Sequence, residues 1–85
     1  MLRQILVIED SKLQRALDSH VLAAEDQIIL QAASLAEARH FINSQMVHVV
    51  VLDVKLPDGN GLEFVAELKQ ALPKAEIIVF TSRSQ

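Results

Sequence analysis

The feature that most constrains this chain is a short β-branched run from Val47 to Leu52 that ends at Asp53. An uninterrupted apolar run of this length is typical of a strand that is buried on both faces of a parallel sheet. Turn-forming residues follow directly, from Leu56 to Gly61. In open parallel sheets, ligands bind outside the carboxyl ends of the strands. The pattern therefore places Asp53 where chemistry usually occurs.

Three other apolar runs alternate with amphipathic segments along the chain. Ser11 with Gln14, and Ser34 with Glu37, have the spacing of capping boxes that begin helices. The predicted strands are Gln4–Ile8, Gln27–Ala32, Val47–Leu52 and Ile77–Phe80, and the predicted helices are Lys12–Ala24, Leu35–Ser44 and a third that opens at Gly61 and ends at Pro73.

This alternation of strands and helices predicts an α/β domain with a parallel sheet and right-handed crossovers. A doubly wound strand order of 2-1-3-4 brings together the carboxyl ends of the first, third and fourth strands. Glu9 and Asp10 follow the first strand, Asp53 ends the third, and Thr81 follows the fourth. We therefore expect these four residues to converge on one crevice.

An apolar stripe is expected on each predicted helix. On the first helix, Leu13, Leu17, Val21 and Ala24 recur at helical spacing, and on the second the stripe is Leu35, Ala38, Phe41 and Ile42. On the third helix the stripe is Leu62, Val65, Leu68 and Leu72, of which the first three are predicted to lie in the core.

Composition predicts one small domain over residues 1–85, because hydrophobic residues make up 51% and charged residues 22% of the chain. Cysteine is absent, which excludes disulfides and thiolate metal sites. The net charge of −3 gives no basic footprint for nucleic acid. No apolar run approaches the ~18 residues of a membrane span. A cytoplasmic location is expected.

Three carboxylates in one small site repel each other, and a divalent cation is the usual compensation. Ligand sets made only of oxygen favour Mg²⁺, Ca²⁺ or Mn²⁺ over zinc. Such a site suits phosphoryl transfer, in which a carboxylate accepts the phosphoryl group. A hydroxyl such as that of Thr81 would then hydrogen-bond a phosphoryl oxygen.

Three sequence blocks together resemble the receiver domain of two-component response regulators, in the right order and at the right spacings. The most specific block carries Asp53, with Pro57 four residues later and Gly61 eight residues later. The acidic pair and Arg15, a basic residue often seen on the first helix, also match the pattern. The matching blocks are Ile5 to Ser11, Val49 to Gly61 and Ile77 to Ser82.

The resemblance implies a flavodoxin-like fold and a role for each matching residue. Asp53 would be the phosphoacceptor, which takes a phosphoryl group from a sensor histidine kinase or a phosphotransfer protein. Asp10, Asp53 and the main-chain carbonyl of Lys55 would bind Mg²⁺ directly, and Glu9 would hold it through water. Thr81 would be the switch hydroxyl. Such a domain phosphorylates itself and is not a turnover enzyme.

The chain departs from the family in one respect. A receiver continues through a fourth helix, a fifth strand and a fifth helix, and the family's essential lysine at the end of that fifth strand is not among these 85 residues. Lys12 and Lys55 are candidate substitutes, although surface lysines are the favoured interpretation. We expect metal binding to survive better than phosphorylation. The open fourth strand predicts a fragment of a longer regulator or a homodimer through that edge.

Two rival enzyme classes are disfavoured by the sequence. A P-loop nucleotidase needs a Gly-Lys-Ser/Thr loop, which this chain lacks. Haloacid-dehalogenase phosphatases place a second Asp two residues after the nucleophile, where this chain has Lys55. The remaining alternative is a receiver-like interaction or dimerisation module that is not phosphorylated.

Overall fold

Strands and helices alternate along the chain in a computed structural model, which describes residues 2–53, 55–56 and 59–80. None of the helices in these ranges is long and apolar enough to cross a membrane. The elements are β1 (Arg3–Ile8), α1 (Lys12–Leu22), β2 (Gln27–Ala32), α2 (Leu35–Ser44), β3 (Val49–Asp53), β4 (Lys55–Leu56), β5 (Gly59–Asn60), α3 (Gly61–Ala71) and β6 (Glu76–Phe80).

Four parallel strands form the main sheet, in the order β2-β1-β3-β6. This order confirms the predicted 2-1-3-4 arrangement of a flavodoxin-like sheet. In the register of β1 and β3, Ile8 lies opposite Leu52. In the register of β3 and β6, Asp53 lies opposite Phe80. The residue that follows β1, Glu9, is therefore placed beside the last residue of β3.

Several element bounds differ from the predicted ones. Strands β1 and β6 each begin one residue earlier, at Arg3 and Glu76, and α3 ends at Ala71. Helix α1 ends at Leu22, because Ala23 is already extended at φ −65° and ψ 135°. Strand β3 begins at Val49, two residues later than predicted. His48 precedes it, and its ring Nδ1 accepts a hydrogen bond of 3.0 Å from the backbone N–H of Gln4. The predicted turn also contains a short antiparallel pair, β4 with β5.

One face of the sheet is closed by α2 and α3 over a buried apolar cluster. On α3, Phe64 is 2% exposed and Leu68 is fully buried, whereas Leu62 is 59% exposed. The prediction that Leu62 lies in the core was wrong. Helical spacing turns Gly61, Phe64 and Leu68 towards the sheet, which leaves Leu62 on the outer side.

The other face of the sheet is only partly covered by α1. A small cluster of Ile5, Val7, Val49 and Val51 lies there, packed against Leu22 and Ile29. Helix α1 buries only Ser19, and its apolar stripe is exposed to solvent. An open groove of about 380 Å³ separates α1 from β6, and its lining includes Gln14, Asp18, Val21, Leu22, Val51 and Ile78.

Within the described residues, β6 pairs with another strand on one side only, with β3. Ile78 and Val79 are partly exposed there. Unpaired strand edges of this kind are templates for pairing with another chain. This edge is the surface through which the sequence predicts a homodimer, and that association stays a prediction.

The corrected face of α3 predicts opposite outcomes for two leucines six residues apart. Leu68→Ala removes a fully buried side chain and should lower the free energy of unfolding by about 2–4 kcal/mol. Leu62→Ala should change it by no more than about 0.5 kcal/mol, because the side chain is exposed. Urea unfolding followed by circular dichroism measures both, and equal losses would contradict the assigned face.

Candidate functional site

Three carboxylates meet at the carboxyl ends of β1 and β3. One carboxylate oxygen from each of Glu9, Asp10 and Asp53 lies within 4.8 Å of the other two. Glu9 is 2% exposed and Asp53 is 1% exposed, while Asp10 is exposed to solvent. The site therefore combines two buried acidic groups with one that faces the solvent.

The local backbone explains why Glu9 turns into the site. Its N–H donates to the carbonyl of Ala32 at 3.0 Å, which extends the ladder of β1 and β2 by one residue. Its carboxylate Oε2 accepts a hydrogen bond of 3.1 Å from the backbone N–H of Ser11. Ser11 is also the N-cap of α1, since its Oγ accepts from the N–H of Gln14 at 3.2 Å. The helix start and the acidic pair thus share one short turn.

Arg15 on α1 reaches back to the same turn. Its Nη1 donates to the carbonyl oxygen of Glu9 at 2.7 Å, and it lies 3.5 Å from the carbonyl oxygen of Asp10. The sequence predicts only that a basic residue occupies this position of α1. That its guanidinium contacts the carbonyl oxygens of Glu9 and Asp10 follows from how α1 lies against β1.

The buried Glu9 carboxyl is incompletely satisfied. Its Oε1 has no hydrogen-bond partner among residues 2–53, 55–56 and 59–80. Burial raises the pKa of Glu9 to about 7; the hydrogen bond from Ser11 opposes this shift and the nearby Asp53 carboxylate adds to it. Leaving a buried acceptor unpaired costs roughly 1–3 kcal/mol. The site therefore favours a proton or a cation at Glu9.

The donor set fits a hard divalent cation. All three side chains offer oxygen, and the unpartnered Oε1 of Glu9 is a buried acceptor with spare capacity. Oxygen ligands of this kind suit Mg²⁺, Ca²⁺ or Mn²⁺.

The predicted roles of Thr81 and Lys55 in the site are not tested by the side-chain contacts described above. Thr81 lies outside the described residues. Lys55 begins β4, where its backbone pairs with Asn60, and its main-chain carbonyl stays a predicted ligand. Lys12, the candidate substitute lysine, is the exposed first residue of α1.

Comparisons with known proteins agree on one family. The family model described as the response regulator receiver domain matches residues 5–85. The chain is 31% identical, over all of its 85 residues, to the chemotaxis protein CheY of Halobacterium salinarum and covers 71% of that protein. Among solved structures, the response regulator TrrA of Thermotoga maritima in complex with Mg²⁺-BeF has a TM-score of 0.87 and 31% identity, with 98% of this chain and 72% of that chain covered.

One relative is much longer than this chain. A protein-glutamate methylesterase/protein-glutamine glutaminase of Agrobacterium fabrum is 39% identical over 80 residues, which are 92% of this chain. The chain spans only 23% of the length of that relative. The similarity therefore concerns one region of the longer protein.

The raised pKa of Glu9 predicts how the stability of the metal-free chain depends on pH. The folded chain binds this proton more tightly than the unfolded chain, so stability from this group is full below about pH 4.5 and falls as pH rises towards 7. The expected loss by pH 7 is on the order of 3 kcal/mol. Thermal unfolding in a chelator should show this slope in the wild type and lose it in Glu9→Gln.

Glu25→Gln is the matched control, because Glu25 is an exposed carboxylate in the turn before β2. It should keep the wild-type slope. A Glu9→Gln variant that is no more stable than the wild type at neutral pH would contradict the assignment.

Proposed function

The chain belongs to the response regulator receiver domain family, and we propose that Asp53 is the residue that accepts the phosphoryl group. The position of Asp53 carries this proposal. It is the last residue of β3, it is 1% exposed, and it lies beside two other carboxylates at the carboxyl ends of the strands. A lone carboxylate that merely capped a turn would not need two acidic neighbours.

We propose that the cation is Mg²⁺ and that Asp10, Asp53 and the main-chain carbonyl of Lys55 hold it directly, with Glu9 acting through water. Support comes from the cluster itself and from its unpartnered Glu9 oxygen. TrrA, a relative with the same fold, was solved in complex with Mg²⁺-BeF. When bound, the cation neutralises negative charge on the carboxylates and on the transferring phosphoryl group.

The reaction of this chain's own residues is a single phosphoryl transfer. A carboxylate oxygen of Asp53 attacks phosphorus, the bond from phosphorus to the donor nitrogen breaks, and an acyl phosphate forms on Asp53. The donor imidazole leaves with the electron pair of that bond and takes up a proton. Asp10, which is exposed, marks the side from which a donor approaches. The hydroxyl of Thr81 is the proposed hydrogen-bond donor to the new phosphoryl oxygens.

The donor in this proposal is a sensor histidine kinase or a phosphotransfer protein, in the cytoplasm. A response regulator signals through the state of its acceptor, so one phosphoryl group per chain is the expected product. The chain then acts as a phosphorylated switch and not as a turnover enzyme. The partners and output of a longer protein that contains this region would follow from segments outside these 85 residues.

Two observations favour a second candidate, an interaction or dimerisation module. The apolar stripe of α1 is exposed, with Leu13 at 72% and Val21 at 79%, and β6 offers a pairing edge. Light scattering of the folded chain separates the two candidates when it is done with and without a phosphoryl donor. A dimer that forms regardless of the donor, and carries no phosphoryl group, supports the second candidate.

Asp53→Asn tests the phosphoacceptor directly. With Mg²⁺ and phosphoramidate as the donor, the wild-type chain should gain the mass of one phosphoryl group, and Asp53→Asn should gain none, because the nucleophilic oxygen is lost. Intact-mass spectrometry reads the product, and circular dichroism verifies that both chains are folded.

Asp26→Asn is the control, since Asp26 is an exposed residue in the turn before β2, and it should be labelled like the wild type. If Asp53→Asn still gains a phosphoryl group, the acceptor is another residue. A folded wild-type chain that gains no phosphoryl group would contradict the proposed function.

A further inference from the structure

The acidic pair lies just beyond the last paired residue of β1, Ile8. The N–H of Glu9 still bonds to the carbonyl of Ala32, but the pair lies past the end of the strand register, so further contacts are needed to hold its carbonyl groups. Arg15 provides one, through the 2.7 Å hydrogen bond from Nη1 to the carbonyl of Glu9 and the longer approach to the carbonyl of Asp10. Hydrogen bonds from a guanidinium are charge-assisted and stronger than neutral ones.

We propose that Arg15 is a positioning residue for the carboxylate site. Its guanidinium fixes the peptide that carries Glu9 and Asp10, so that their side chains stay directed at Asp53. The part of this inference that concerns cation binding rests on the proposed function.

The packing of α1 explains why one polar contact matters so much. The helix buries only Ser19, and Leu22 is its one member packed against the neighbouring apolar cluster. Apolar burial therefore does little to hold α1 against the end of β1. The hydroxyl of Ser19 donates to the carbonyl of Arg15 at 2.7 Å, but this bond lies within α1 and adds no contact to β1.

A positioning role and a purely electrostatic role of Arg15 predict opposite changes in Mg²⁺ affinity when the guanidinium is removed. A positive guanidinium near three carboxylates repels Mg²⁺, so its removal would tighten binding if charge were its only effect. A positioning residue acts the other way, because its loss lets the ligands move out of place. Contacts behind metal ligands typically contribute 10- to 100-fold to metal affinity. The sign of the change therefore separates the two roles.

The test is a Mg²⁺ titration of the whole 85-residue chain by calorimetry. Arg15→Met keeps an unbranched apolar side chain but removes the guanidinium with its charge and its donors, and it should weaken Mg²⁺ binding about tenfold. Arg15→Lys keeps the charge and one donor direction, and it should recover part of the affinity. Arg39→Met is the matched control, because Arg39 pairs with Glu67 at 2.8 Å between α2 and α3. It should leave the affinity unchanged.

A second readout needs no cation. The N–H of Ser11 donates to the carboxylate of Glu9, so a loosened peptide should speed hydrogen exchange at Ser11 in Arg15→Met. Exchange at Val50, in the middle of β3, should not change. If the wild type binds no Mg²⁺, the proposed cation site fails while Ser11 exchange still tests Arg15.

Three results would overturn the positioning role. The first is tighter Mg²⁺ binding in Arg15→Met than in the wild type. The second is unchanged Mg²⁺ binding together with unchanged Ser11 exchange in that variant. The third applies if the wild type binds no Mg²⁺, and it is Ser11 exchange in Arg15→Met that is no faster than in the wild type. If Arg15→Met does not fold, Arg15→Lys is the variant that tests the inference, and it should show weaker Mg²⁺ binding and faster Ser11 exchange than the wild type. An Arg15→Lys chain with the wild-type Mg²⁺ affinity and the wild-type Ser11 exchange rate would reject the inference.

Discussion

The parallel pairing of β1 with β3 is the constraint on which the site depends. Their register aligns Ile8 with Leu52, so the residues that follow, Glu9 and Asp53, are forced side by side. Both are buried, and one oxygen of Glu9 has no partner within the part of the chain that the structure describes. Two buried carboxylates in contact are unfavourable unless a proton or a cation accompanies them. The sheet therefore creates an electrostatic demand that a proton or a divalent cation would meet.

The two faces of the sheet are built differently, and this difference bears on the site. Helices α2 and α3 seal one face with a continuous apolar core. Helix α1 covers the other face incompletely, and its stripe from Leu13 to Val21 is exposed. The helix that leads directly out of the acidic pair is thus the least firmly packed one. Polar contacts at its first turns, from Ser11 and Arg15, hold it to the end of β1.

The sequence predicts the sheet well because its signals are local. Continuous apolar runs indicate strands, and the residue pairs that begin with Ser11 and Ser34 indicate helix starts. In the structure both serines are the N-caps of helices. The orientation of α3 was harder to predict, because Leu62 and Phe64 are both apolar and only the tertiary packing selects Phe64. The raised pKa of Glu9 depends on burial and on Asp53, 44 positions away, which no local pattern reports.

Proton release on Mg²⁺ binding tests the cation site most directly. With a pKa of about 7, Glu9 is about half protonated at neutral pH, so a bound cation should displace roughly half a proton per Mg²⁺. Calorimetry in two buffers of different ionisation enthalpy measures this number. We expect saturable Mg²⁺ binding with proton release in the wild type, and we expect the proton release to be lost in Glu9→Gln. A folded chain that binds no Mg²⁺, or binds it without releasing protons, would contradict the carboxylate site as described.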